Sequence, residues 1–201
     1  MTSVPPAMHP ARLAAWLDRL AHHHDETCRH CGRVGRLAAS LTRIAGADEA
    51  LEAAILSAAT LHDIGKLGIP AALLDHPLQL TEAERERFQR HTDYGAALLA
   101  AEPGGELAVI VAQSHHERWD GSGYPHGLSG AAIPLAARLT SIADVYDALR
   151  APRAYKEGRT HPRVMATMAH MQQQFDPQLL AIFLEAEAEV ERLFASMTVA
   201  G

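Results

Sequence analysis

Leu61-His62-Asp63-Ile64-Gly65-Lys66 puts an imidazole, a carboxylate and an ammonium into one short stretch. Later, His115-His116-Glu117 leads into Arg118-Trp119-Asp120-Gly121-Ser122-Gly123-Tyr124-Pro125. Imidazole nitrogen and carboxylate oxygen are ligands for divalent cations, and two such groups supply enough for more than one ion. With His62 and Asp63 read as helical, their side chains diverge by about 100° and meet one ion only beside the helix. The two oxygens of Asp63 can also bridge two ions. Lys66 follows Asp63 by three positions and His62 by four, so its ammonium projects to the same side, toward a bound phosphate.

A capped helix end accounts for a lone His-Asp pair, but not for a second pair at His115-His116. Nor does it account for Asp144 in the apolar frame Ser141-Ile142-Ala143-Asp144-Val145-Tyr146. A carboxylate on an apolar face needs a partner, and a metal is one. His22, His23 and His24 point in different directions on a helix and are read as a solvated face. Cys28 and Cys31 have Cys-x-x-Cys spacing, but no second thiol pair completes a structural zinc site.

The elements that must position these groups are helices. The chain has 201 residues, 48% of them apolar and few aromatic, which suits one domain with a sizeable core. Its Ala and Leu content, with Gly and Pro confined to a few places, predicts an all-α fold of about seven to nine helices. Residues 1–10 read as a loose tail before a single domain over 11–201. Apolar periodicity predicts helices over about 11–24, 26–45 and 48–63, the last capped by Asp48. Thr81 and Glu84 form a capping-box signature opening a helix to about Ala100. Further helices are expected over about 105–116, 134–149, 161–174 and 177–197. Between His116 and Ile133, glycines and prolines exclude regular helix, and so long a loop in a compact domain is usually functional.

The formal charge of −6 and the lack of a Lys/Arg run argue against polymeric nucleic acid or a membrane surface as partner. No membrane span or signal peptide is legible, so a cytoplasmic location is expected. Two cysteines make no disulfide framework.

Over about residues 25–185 the chain resembles the HD-GYP family, a branch of the HD phosphohydrolases. The resemblance rests on Asp25-Glu26-Thr27 before His30, on Leu61–Pro70, His91, His115–Leu128, Ile133-Pro134, Ala136–Leu149 and Phe175-Asp176-Pro177. It implies an all-α metal enzyme that hydrolyses cyclic di-GMP to linear pGpG or to GMP. It also implies His30, His62, Asp63, His91, His115, His116 and Asp144 as metal ligands, with Asp63 bridging. Glu26 matches the extra ligand of members that hold three metals, so two or three divalent ions are expected, iron or manganese on the resemblance. Lys66 is expected to stabilise phosphoryl charge and Tyr124 to border the substrate. Arg153 and Lys156 match phosphate-contacting positions. Arg150-Ala151 and Ala154 depart from the family pattern, which bears on which dinucleotide fits. Two other readings remain: an HD phosphohydrolase of a different nucleotide, and a non-catalytic module that binds a cyclic dinucleotide.

Overall fold

His24 both ends one helix and starts the next. Its N–H closes α1 (Pro10–His23) on the Leu20 carbonyl, and its ring accepts the Thr27 N–H to cap α2 (Asp25–Ile44). In the computed structural model, which describes residues 5–75, 81–152 and 157–198, α2 is the central helix. It packs against α1, α3 (Glu49–Thr60) and α8 (Leu135–Arg150). The chain between them forms α4 (Ala71–Leu74), α5 (Glu82–Gln89), α6 (His91–Leu99) and α7 (Glu106–Ser114). After α8 come α9 (His161–Ala169), α10 (Pro177–Glu185) and α11 (Glu187–Thr198). No strand occurs among the described residues, and no helix there is long and apolar enough to cross a membrane.

The caps read from sequence are present. Asp48 accepts the Leu51 N–H at 2.9 Å, and Thr81 and Glu84 form the reciprocal capping box. The core joins Leu20, Val34, Leu37 and Leu41 to Ile55, Leu99, Val111, Leu139, Ile142 and Phe183, all nearly or fully buried. Removing these side chains from water is the main force holding the helices together. Met8, in the expected tail, is 3% exposed and its N–H reaches Ser57 Oγ at 3.3 Å, so this part of the tail is packed.

The helix count exceeds the expectation because two long helices are interrupted. The helix expected over 81–100 is broken at Arg90, where ψ is −8°, and side chains just beyond turn back onto the last carbonyls of α5. Phe88 O pairs with His91 Nδ1 at 2.7 Å, and Gln89 O accepts from Thr92 Oγ1 at 3.0 Å. The helix expected over 177–197 is interrupted at Ala186, where φ is −86° and ψ 16°.

One expectation is corrected where it matters most. The helix predicted through Asp63 ends at Thr60, and His62 and Asp63 lie in the turn beyond it. The backbone there follows i→i+3 pairing, with His62 N–H to Ala59 O at 3.2 Å and Lys66 N–H to Asp63 O at 2.9 Å. The resulting 3-10 helix, Ile64–Gly68, brings side chains three apart into line, so Lys66 falls over Asp63 rather than beside it.

Candidate metal centre

Seven of the predicted ligands converge on one point. Asp63, from the turn after α3, is 1% exposed and its two oxygens face different neighbours. Oδ2 lies 3.8 Å from His30 Nε2 on α2 and 3.4 Å from His62 Nε2. Oδ1 lies 3.3 Å from His91 Nε2 on α6 and 3.7 Å from His115 Nε2 at the end of α7. Asp144, from α8, joins the first group, its Oδ1 3.1 Å from His30 Nε2 and 3.9 Å from His62 Nε2. His116 joins the second, and the ligand atoms of Asp63, His91, His115 and His116 all lie within 4.8 Å of one another.

Gly65 makes this convergence geometrically possible. A Cβ there would stand 1.9 Å from the His91 carbonyl oxygen, so only glycine lets the turn press against α6. Nδ1 of three rings is held by nearby helix carbonyls: Ala59 for His62, Phe88 for His91, Val111 and Ala112 for His115. Fixing Nδ1 in this way leaves Nε2 to face the centre.

The cluster has the signature of a cation cage. His62 Nε2 and Asp63 Oδ1 are buried among other polar atoms and have no hydrogen-bond partner among the described residues. Buried polar groups left this way are costly unless a cation satisfies them. Imidazole and carboxylate donors therefore fit divalent metal ions here.

The electrostatics keep both carboxylates, His91 and His116 in metal-binding form. Burial alone would raise the Asp63 carboxyl, but the Lys66 ammonium and the imidazoles of His62 and His115 hold it well below the usual carboxylate range. Asp144 is likewise held low against burial, by its bond to His30 and by His62 and His116. Burial, then the neighbouring His115 and His91, pushes His116 well below the ordinary histidine value, and burial lowers His91. His30 goes the other way: its bonds to Asp144 and Asp147 outweigh burial and raise it.

The remaining predicted residues are placed as follows. Lys66 Nζ is paired with Asp63 Oδ2 and lies 5.5 Å above the Phe88 ring. Glu26 is not brought into the ligand groups, although its Oε1 is buried with no hydrogen-bond partner among the described residues. Tyr124 stacks on His116 with ring centroids 4.8 Å apart, and its hydroxyl is raised by burial, then by Asp63 and Asp144, so it remains a donor. Arg153 and Lys156 lie outside the described residues. The Cys-x-x-Cys thiols point to different surroundings: Cys28 Sγ donates to Leu17 O at 3.4 Å, while the Sγ of buried Cys31 lies within 4.8 Å of ligand atoms of His62 and Asp63. Burial and the Asp63 charge push the Cys31 thiol up, away from the thiolate that binds metal.

His116 and Asp144 open onto a recess of about 240 Å³ that Tyr124, Gly123, Ser141 and Gln174 also line. Its rim is held by Glu117, a residue of the His115–Pro125 motif to which the sequence assigns no role. This carboxylate is 2% exposed and accepts the His126 N–H at 2.8 Å and the Leu128 N–H at 2.9 Å. Trp119 and Asp120 N–H groups bond to the Gln174 and Gln173 carbonyls at 2.9 and 3.0 Å. Gly123 approaches so closely that a Cβ would meet Arg118 N at 2.4 Å. The long loop is thus tied down at several points. Asp147 and Arg33 also escaped the sequence reading; both lie behind His30, and the signal for each is its place one turn after a ligand, Asp144 and His30 respectively.

A family model described as an HD domain matches residues 11–179. A 3′3′-cGAMP-specific phosphodiesterase 2 of Vibrio cholerae is 38% identical over 175 residues, which is 86% of this chain and 34% of that protein. The cyclic di-GMP phosphodiesterase response regulator RpfG of Xanthomonas campestris is 38% identical over 171 residues, 84% of this chain and 45% of the relative. The chain therefore spans between a third and a half of the length of these curated relatives. Among solved structures, the HD domain of phosphodiesterase PgpH from L. monocytogenes, in complex with cyclic-di-AMP, superimposes with a TM-score of 0.64 at 17% identity. That match covers 89% of this chain and 95% of the other.

Proposed function

This chain belongs to the HD-domain family, and from that membership and the convergence on Asp63 we propose that it is a metal-dependent phosphodiesterase of cyclic dinucleotides. Cyclic di-GMP is the first candidate substrate and linear pGpG or GMP the product, in bacterial second-messenger signalling within the cytoplasm. The observation that carries the reading is the pair of ligand groups sharing one buried carboxylate, open to a recess beside a Gly-Tyr-Pro loop.

In this reading His30, His62 and Asp144 would hold one divalent ion and His91, His115 and His116 a second, with the Asp63 carboxylate available to both. Such ions, iron or manganese on the family resemblance, would supply Lewis acidity and lower the pKa of water so that hydroxide is available to attack phosphorus at neutral pH. Lys66 uses one N–H on Asp63 and keeps others for a phosphoryl oxygen of the scissile 3′ P–O bond. Tyr124 presents its ring and a protonated hydroxyl at the recess, to stack on a base or donate to a phosphate. Arg153 and Lys156 are proposed as further phosphate contacts. The buried, unpartnered oxygen of Glu26, one turn before His30, supports a third ion at that end of the centre.

A second reading, hydrolysis of the mixed dinucleotide 3′3′-cGAMP, draws support from the Vibrio cholerae relative. The test is metal analysis of anaerobically purified protein followed by product identification from cyclic di-GMP and from 3′3′-cGAMP. Turnover of cyclic di-GMP by the faster rate supports the proposal, and preference for the mixed substrate selects the second reading. Bound metal with no hydrolysis of either would leave a cyclic-dinucleotide receptor and overturn the enzymatic reading.

A further inference from the structure

His30 is held unlike the other rings of the centre. Where His62, His91 and His115 lean on carbonyls of nearby helical turns, His30 Nδ1 meets Asp147 Oδ2 at 2.7 Å, across 117 positions of sequence. Asp147 is completely buried on α8, three residues after Asp144. Its charge is met by Arg33, one turn after His30 on α2, with Nε 2.6 Å from Oδ1 and Nη2 3.0 Å from Oδ2. This two-point pairing with a guanidinium makes burial of the carboxylate tolerable and fixes its plane. A carbonyl offers a partial charge to a ring N–H; a carboxylate offers a full one, and makes the opposite nitrogen the stronger ligand.

We propose that Asp147, fixed by Arg33, is a positioning residue that locks His30 with Nε2 toward Asp63 and Asp144. It thereby makes the His30–His62–Asp144 position the tighter of two divalent-cation positions. The inference rests on the reading of this cluster as a two-metal centre.

Metal-free full-length protein titrated with zinc(II) alone, by calorimetry, tests it, because imidazole sites bind zinc more tightly than manganese. Apart from any third ion at Glu26, wild type should take up two equivalents of unequal affinity. In Asp147→Asn the tighter one should weaken by about 10- to 100-fold, the range seen when the outer partner of a ligating histidine is lost. The other should stay within about threefold, inside the scatter expected for an untouched site. Because Asp147→Asn strands the Arg33 charge, Arg33→Met/Asp147→Asn, which removes both charges, should show the same selective loss with an unchanged melting temperature of the metal-free protein. Two wild-type equivalents that both persist unchanged, or both weaken alike, in the variants would overturn the role of Asp147 alone. A metal-free double variant that is unfolded by circular dichroism would do the same, making the pair a folding element. Wild type that takes up no zinc would overturn the metal-centre reading itself.

Discussion

On one side of Asp63 stand His30, His62 and Asp144; on the other, His91, His115 and His116. The first half is rich in carboxylate and assembled over distance, from α2, α8 and the turn after α3, with Asp147 and Arg33 behind it. The second is all imidazole apart from the shared carboxylate, and its rings come from α6 and the end of α7, with His91 and His115 steadied by carbonyls of their own or adjoining turns. The electrostatics follow: His30 is raised by its carboxylates, whereas His91 and His116 are lowered by burial and, for His116, by the adjoining His115 and His91 rings. One half is built to attract a cation by charge, the other by neutral nitrogen lone pairs. A centre built this way can hold two like ions in unlike surroundings.

Removing what the halves share should do most. Asp63→Ala is expected to lose both equivalents of metal and to depress turnover on the order of a thousandfold or more; retention of either equivalent, by elemental analysis, would deny the carboxylate its bridging place. Splitting the halves comes next. Asp144→Ala and His116→Ala should each cost about one equivalent and about a hundredfold in rate, and loss of the full complement in both would mean the halves are not separable. Lys66→Ala should leave metal content intact and lower kcat by about a hundredfold; an unchanged kcat would remove Lys66 from the chemistry. Glu117→Gln, which weakens two charge-assisted bonds to the loop, should cost about 1–2 kcal/mol in stability and raise KM about tenfold. A KM unmoved in that variant would uncouple the loop from binding.

The smallest effect is in the pH dependence of the metal-free protein. His91 and His116 have values below 6.5 when folded, so as pH falls below that point the unfolded chain binds protons that the folded one refuses, and stability drops. His30, raised when folded, works oppositely: its contribution is complete below 6.5 and fades as pH rises through its folded value. His116→Gln should therefore lose less stability than wild type between about pH 7.5 and about pH 5.5, by on the order of 1 kcal/mol in urea unfolding. A steeper loss in the variant would reverse the assignment.

Much of this arrangement is legible locally. Asp48, the Thr81–Glu84 box and the apolar stripes of α2 and α8 mark helices because a cap or a stripe is written within a few residues. His62 and Asp63 stand out by type, yet their placement past the helix end depends on a 3-10 turn that pattern cannot separate from another helical turn. The break before His91 is hidden for a similar reason, since a single turn residue at Arg90 leaves no mark on hydrophobic periodicity. Asp147 carries half a signal: the argument that a carboxylate in the apolar frame of α8 needs a partner applies to it as well as to Asp144. Its partners, 114 and 117 positions away, are supplied only by the packing of α2 on α8.

The Glu117 anchorage has a consequence for kinetics. A binding loop that is slack in the free protein must surrender conformational entropy when a ligand arrives, and that loss is subtracted from affinity. Here the strand of chain from Glu117 to Leu128 is already tied by backbone N–H groups to a buried anion and to the carbonyls before Phe175. The ordering is accomplished once, during folding. Selectivity among ligands then resembles a key meeting a cut lock more than a hand closing, and should be expressed mainly in how long each ligand stays.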